Sequence, residues 1–259
     1  MRMDFDRHRA EIVAQTELLT ASIVDADLTT PVPSCPGWNA GQLLRHLGGG
    51  QRWAADVVRT RATEPPSDEF FRDLSPYAEE DPVVVGPWLT VGALALSEAL
   101  AEAGPDAGMW TPVPGGSPLF WARRFAHETA VHRADAVLAL GQEFELDPEV
   151  AVDTVDEWME LGSLPVMLDL KPTQRELLGP GRTIHLHATD VDDAEWVVDL
   201  TGEVIRWRRA HEKSAVAVRG PLVELLLVLY GRRSVDRGTV EVLGDGGLLD
   251  FFLERVTFG

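Results

Sequence analysis

Cysteine is almost missing from this sequence: Cys35 stands alone among 259 residues. An intramolecular disulfide is impossible, and metal centres built from cysteine alone are excluded. Any metal has to be held by imidazole and carboxylate. Positive charge is scarce too, with 23 Lys and Arg against 42 Asp and Glu and a formal net charge of −19. Nucleic acid is a poor partner for such a chain, because phosphate backbones favour basic surfaces. The balance does not set the sign of a substrate, since a pocket can be locally basic. No stretch approaches 18 apolar residues without a charge, so no membrane span is expected. The opening segment MRMDFDRHRAE is charged and lacks an apolar signal segment, which makes the cytoplasm the expected location.

What is present suffices for a sizeable core: 45% of the residues are hydrophobic, and the length suits one large domain or two modest ones. Residues 4–24 read as a first helix, with Phe5, Ile12, Leu19 and Ile23 near helical spacing and His8 as a surface or helix-packing residue. Three prolines and a glycine in PVPSCPGWN forbid a helix before about residue 39. Asn39 then fits an N-cap with Gln42 as its capping-box partner, starting a second helix over about 40–59. Gly48, Gly49 and Gly50 weaken that helix locally, and permit close packing or leave space beside a ligand.

Residues 61–82 read as a surface loop, and 87–103 as a third helix stopped by Gly104–Pro105. After a second loop, in which Trp110 packs onto the helices, Pro118 opens a fourth helix that Gly141 closes. Four helices with connecting loops imply a bundle. Beyond 152–164 the periodicity changes to short alternating strands, RTIHLHATD, AEWVVDL, EVIRWRR, KSAVAVRG and TVEVLGD, with helices at GPLVELLLVLYGRR and GLLDFFLERV. The expectation is a helical bundle over 1–160 and a small α+β domain over 161–259, with helices on a mostly antiparallel sheet.

Within the fourth helix, HETAVH places Glu128 and His132 four residues apart, on one face and one turn from each other, where both reach a single cation. His127 points elsewhere. A third donor has to come from another segment. His46 in LLRHL is either that ligand or a hydrogen-bonded core group. Two imidazoles and one carboxylate leave a cation such as zinc with an open position. The protease pattern HExxH is absent. Arg124, one turn before Glu128, can pair with it; Asp135, three residues after His132, can orient that imidazole, although a surface salt bridge is the simpler reading. His185 and His187 face one side of a strand; such a pair can bind metal but lacks nearby carboxylates in a helical frame, and can equally cover a solvated sheet face.

PSCPGW, His46 within LLRHLGG, HETAVHRAD and the carboxy-terminal segments RTIHLHATD, VRGPLVELLLVLYGRR and VEVLGD together resemble the mycothiol-dependent maleylpyruvate isomerase family, over almost the whole chain. The resemblance implies a DinB-like four-helix bundle followed by a domain similar to sterol carrier proteins. It implies a metal, usually zinc, on His46, Glu128 and His132. It implies mycothiol, the small thiol of actinobacteria, as cosubstrate, and a cis-unsaturated oxo-acid such as maleylpyruvate as the electrophile. Basic groups would neutralise the substrate, with Arg219 and Arg232 favoured. A mycothiol S-transferase and a noncatalytic metal-binding protein are the competing readings. A monomer is the default.

Overall fold

The computed structural model describes residues 3–256. Two compact units divide between Phe144 and Glu145. The helix α5 (Pro148–Gly162) thus belongs with the carboxy-terminal unit, so the division falls earlier in the chain than the expected 160/161. Its apolar positions explain this: α5 packs on α7 (Leu222–Leu229), whose leucines are buried almost throughout.

The amino-terminal unit holds α1 (Phe5–Ser22), α2 (Ala40–Thr60), α3 (Pro82–Ala103) and α4 (Pro118–Ala139). Asp4 caps α1, accepting from the Arg7 amide at 2.7 Å. The Asn39 capping box forms as expected: Gln42 N donates to Asn39 Oδ1 at 2.9 Å, and Asn39 N donates to Gln42 Oε1 at 3.0 Å. The helix α3 begins five residues before the expected start, because Asp81 caps it and Pro82 takes the first position. Pro87 lies inside the helix, past its first turn, and the helix continues through it to Ala103.

This α3 also departs from the expectation of no membrane-length segment. Residues 82–97 are uncharged, and an 18-residue window of the helix reaches a mean hydropathy of 1.6, with 44% of that window buried in the bundle. Its buried side supplies Val85, Leu89, Leu96 and Leu100 to the core.

Among the described residues, the core of this unit includes two clusters. One gathers Ile12, Val57, Val58, Leu96, Leu100, Trp121 and Ala126. The other gathers Leu19, Leu43, Leu44, Leu47, Val85, Leu89 and Ala136. Each leucine withdrawn from water here contributes about 1.5–3 kcal/mol. The helix α4 is buried nearly all round, as the central member of a bundle has to be.

The glycines of α2 serve close packing. A Cβ on Gly48 would lie 2.3 Å from the Trp88 ring, and one on Gly49 would lie 2.3 Å from Cβ of Phe71. The chain between α2 and α3 can therefore rest directly on α2, carrying short 3-10 turns at Glu69–Phe71 and Ser75–Tyr77.

In the carboxy-terminal unit, β1 (Thr183–Ala188), β2 (Glu195–Asp199), β3 (Arg206–Arg208), β4 (Val216–Gly220) and β5 (Glu241–Gly244) form one sheet in the order β3-β2-β1-β4-β5. Only the β1–β4 pairing is parallel. Cross-strand register puts Ile184, Leu186, Trp196, Val198, Val216 and Val218 on one face, all buried. His185, His187, Glu195 and Arg219 share the other. The short α6 (Met167–Leu170) and α8 (Gly246–Val256) complete the unit, with Trp158 of α5 against Phe252 of α8 at 6.1 Å.

Candidate metal centre

The helices α2 and α4 bring His46, Glu128 and His132 together. The rings of His46 and His132 meet edge to face, with centroids 5.5 Å apart. Glu128 Oε2 lies 3.3 Å from His132 Nε2, as the four-residue spacing requires. On the other side of the carboxylate, Arg124 Nε sits 3.2 Å from Glu128 Oε1.

Each histidine has its Nδ1 committed. His46 Nδ1 donates to the carbonyl of Phe71 at 3.2 Å, and its ring is flanked by Trp38 at 4.8 Å and Phe71 at 5.6 Å. His132 Nδ1 faces Asp135 Oδ2 at 2.9 Å. Asp135 is not the surface residue its sequence position suggests. Its side chain is 0% exposed, and it accepts from Ser34 Oγ at 2.6 Å and from Cys35 Sγ at 3.8 Å. The PVPSC turn thus braces the carboxylate that aims His132. A signal for this was present, since Asp135 lies three residues beyond His132, but nothing in the sequence brings Ser34 and Cys35 to it.

Protonation follows from these surroundings. Burial, then the neighbouring His132 charge, lowers His46 to about 4, so it is neutral at pH 7. Burial alone would lower His132, but the hydrogen bonds to Asp135 and Glu128 raise it to about 9. Burial pushes the Glu128 carboxyl up, yet Arg124 and His132 outweigh it and hold the group well below the usual carboxylate range. His46 Nε2 is the nitrogen left to its ring, whereas His132 Nε2 is held by the ionised Glu128 carboxylate and has to lose its proton before it can bind a cation. Two imidazoles and one carboxylate, one ring oriented by a buried acid, are donor types that a divalent cation takes.

Other sequence candidates lie elsewhere. His127 is fully buried and meets His8 at 5.9 Å between ring centroids. Arg133 ties α4 to α1 through Gln15 at 2.8 Å and stacks over Phe144 at 4.4 Å. Trp110 packs between Trp53 and Trp121, at 6.0 and 5.7 Å. In the carboxy-terminal unit, Arg219 is paired across strands with Glu241 at 4.0 Å, with both side chains more than half exposed. Arg232 donates to the carbonyl of Tyr230 at 2.6 Å, and Arg233 pairs with Glu224 at 3.5 Å.

Residues 9–137 match the Mycothiol maleylpyruvate isomerase N-terminal domain, and residues 149–251 match the MDMPI C-terminal domain. Two solved structures, of a mycothiol-dependent maleylpyruvate isomerase and of a histidine-to-alanine mutant of that enzyme, superpose with TM-scores of 0.63 and 0.62. Each is 15% identical, with 93% of both chains covered, a likeness of fold. Thiamine thiazole synthase of Emericella nidulans is 31% identical over 126 residues, 44% of this chain, and the chain spans 36% of that protein's length. With a DinB-like helical domain and a small α+β domain, both matched in order, the chain belongs to the mycothiol-dependent maleylpyruvate isomerase family.

Proposed function

We propose that this chain is a metal-dependent, thiol-using isomerase that converts a cis-unsaturated oxo-acid of the maleylpyruvate type to its trans form, with mycothiol as the thiol. The observation that carries the reading is the division of His132 between Asp135 and Glu128, with the neutral His46 ring set edge-on beside it. His46, Glu128 and His132 would hold the cation, and zinc suits this donor set. When bound, the cation supplies Lewis acidity that keeps a thiol sulfur ionised near neutral pH.

The residues do the rest. Asp135 holds the His132 ring in place and keeps its Nδ1 proton. Phe71 does the same for His46 through its carbonyl, and Trp38 shields that ring from solvent. Arg219 and Arg232 would bind substrate carboxylates or the developing enolate. The Arg219 guanidinium is half exposed and only loosely paired, which leaves it able to accept an anion.

In the reaction, sulfur adds to one alkene carbon and the displaced electron pair moves onto the oxo oxygen. The former double bond rotates as a single bond. The C–S bond then breaks, the double bond re-forms in the trans geometry, and the thiol is returned unchanged. The carboxy-terminal unit is proposed to share the fold of sterol carrier proteins, on the strength of its segments RTIHLHATD and VRGPLVELLLVLYGRR.

Metal analysis combined with turnover of mycothiol and maleylpyruvate tests the reading. The native chain should hold about one cation at this centre, and His46→Ala, Glu128→Ala and His132→Ala should each lose most of it. A trans product with thiol recovered supports isomerisation. A stable sulfur conjugate would instead mark a mycothiol S-transferase. Metal uptake with neither product would mark a binding protein. Full occupancy in all three variants would reject the ligands.

A further inference from the structure

We propose that the carboxy-terminal unit carries a second site, for a divalent transition-metal cation, formed by His185, His187, Glu195 and His211. The sequence shows only the first pair, two residues apart on β1. The sheet supplies the carboxylate they lacked, because antiparallel pairing sets Glu195 of β2 directly across from His187. The connection after β3 supplies the third imidazole, His211. His185 Nε2, His187 Nδ1 and His211 Nδ1 lie 2.7, 2.9 and 2.6 Å from the same oxygen, Glu195 Oε2. The three rings surround it at mutual centroid distances of 5.8, 5.4 and 5.7 Å.

Three imidazoles and one carboxylate are a complete donor set for a four-coordinate cation of borderline softness. All four donor atoms lie within 4.8 Å of one another. A tetrahedral cation with bonds of about 2.0–2.2 Å spaces its ligand atoms by roughly 3.3 Å, so closure needs only small side-chain shifts. The donors also differ in mobility in the way such a site uses. His185 and Glu195 are held on the sheet, with side chains 8% and 20% exposed, whereas His211 is 76% exposed. Glu195 is ionised in this setting: burial opposes this, but the hydrogen bonds from His211, His185 and His187 lower its pKa.

The segment that brings His211 is anchored independently of the cluster. Two residues earlier, Arg209 clasps Asp156 through two bonds of 2.9 Å, donates to the Asp193 carbonyl at 3.0 Å and stacks over Trp196 at 4.4 Å. Arg208 and Glu212 pair on either side of His211, with Arg208 Nε 3.0 Å from Glu212 Oε1. The imidazole is thus delivered to the sheet rather than left to find it. A cation with no open position here fastens the β3–β4 connection to β1 and β2, a structural role distinct from that of the amino-terminal centre.

The test uses the full chain with His46→Ala and His132→Ala, stripped with a chelator and reloaded with zinc, so that its outcome does not depend on the amino-terminal reading. After gel filtration about one zinc per chain should remain, and zinc should slow amide hydrogen exchange across residues 209–214. Adding His187→Ala, or His211→Ala at the exposed position where folding is not at risk, should weaken zinc binding by at least about tenfold and abolish that protection. Failure of the double variant to retain zinc would overturn the proposal. So would zinc retention that neither His187→Ala nor His211→Ala reduces.

Discussion

His132 and Asp135 are joined by a 2.9 Å contact in which the carboxylate is wholly withdrawn from water. A buried acid is costly unless the groups around it are committed to it. Ser34, Cys35 and His132 supply those partners, so the fold of the PVPSC turn and the aim of the imidazole are one structural problem.

Asp135→Asn keeps the shape and removes the charge. It should lower metal affinity about 10–100-fold, because the amide no longer raises the basicity of the ring. Competition with a chelating dye measures this, and an unchanged affinity would remove Asp135 from the site.

Gly49→Ala should perturb the site through packing. The new methyl would meet Phe71 Cβ at 2.3 Å and lever the 3-10 turn away from α2. The expected cost is about 1–3 kcal/mol of stability by chemical denaturation, together with weaker metal binding as His46 loses the Phe71 carbonyl.

Asn39→Ala removes the capping box and the bond from Asn39 Nδ2 to the Ala78 carbonyl. Denaturation should show a loss of about 1–2 kcal/mol. Metal stoichiometry should not change, since His46 lies two turns inside the helix.

Metal loading should depend on pH in a defined direction. Without a cation His132 is protonated up to about 9, while His46 is already neutral above about 4. Loading at pH 7 should therefore release about one proton, measurable by titration calorimetry in buffers of different ionisation enthalpy. Apparent affinity should rise with pH and level off above about 9. Stability without metal should run the other way. A raised histidine pKa contributes fully below the unfolded value and is lost as pH climbs through the folded one.

The elements that local chemistry dictates were legible in the sequence: the Asn39 capping box, the Gly104 stop, the Glu128–His132 spacing and the alternation along β1. The misjudged features depend on what lies opposite a residue. The early start of α3 turned on Asp81 as a cap, which a proline-rich loop conceals. The burial of Asp135 turned on a turn a hundred residues away. The allegiance of α5 followed from its contact with α7, and helical spacing carries no such information. Glu195 and His211 join the β1 histidines only through strand register and a loop path, so a reading confined to neighbours two apart could not find them.

The three donors proposed for the amino-terminal unit all ride on helices, α2 and α4, whereas the aromatic rings that flank His46, Trp38 and Phe71, ride on the connections before and after α2. Loops change length and composition far more readily than packed helices do. If the proposed donors hold a cation, a lineage can therefore refit the walls for a new electrophile while that grip stays fixed, and selectivity becomes separable from reactivity by inheritance.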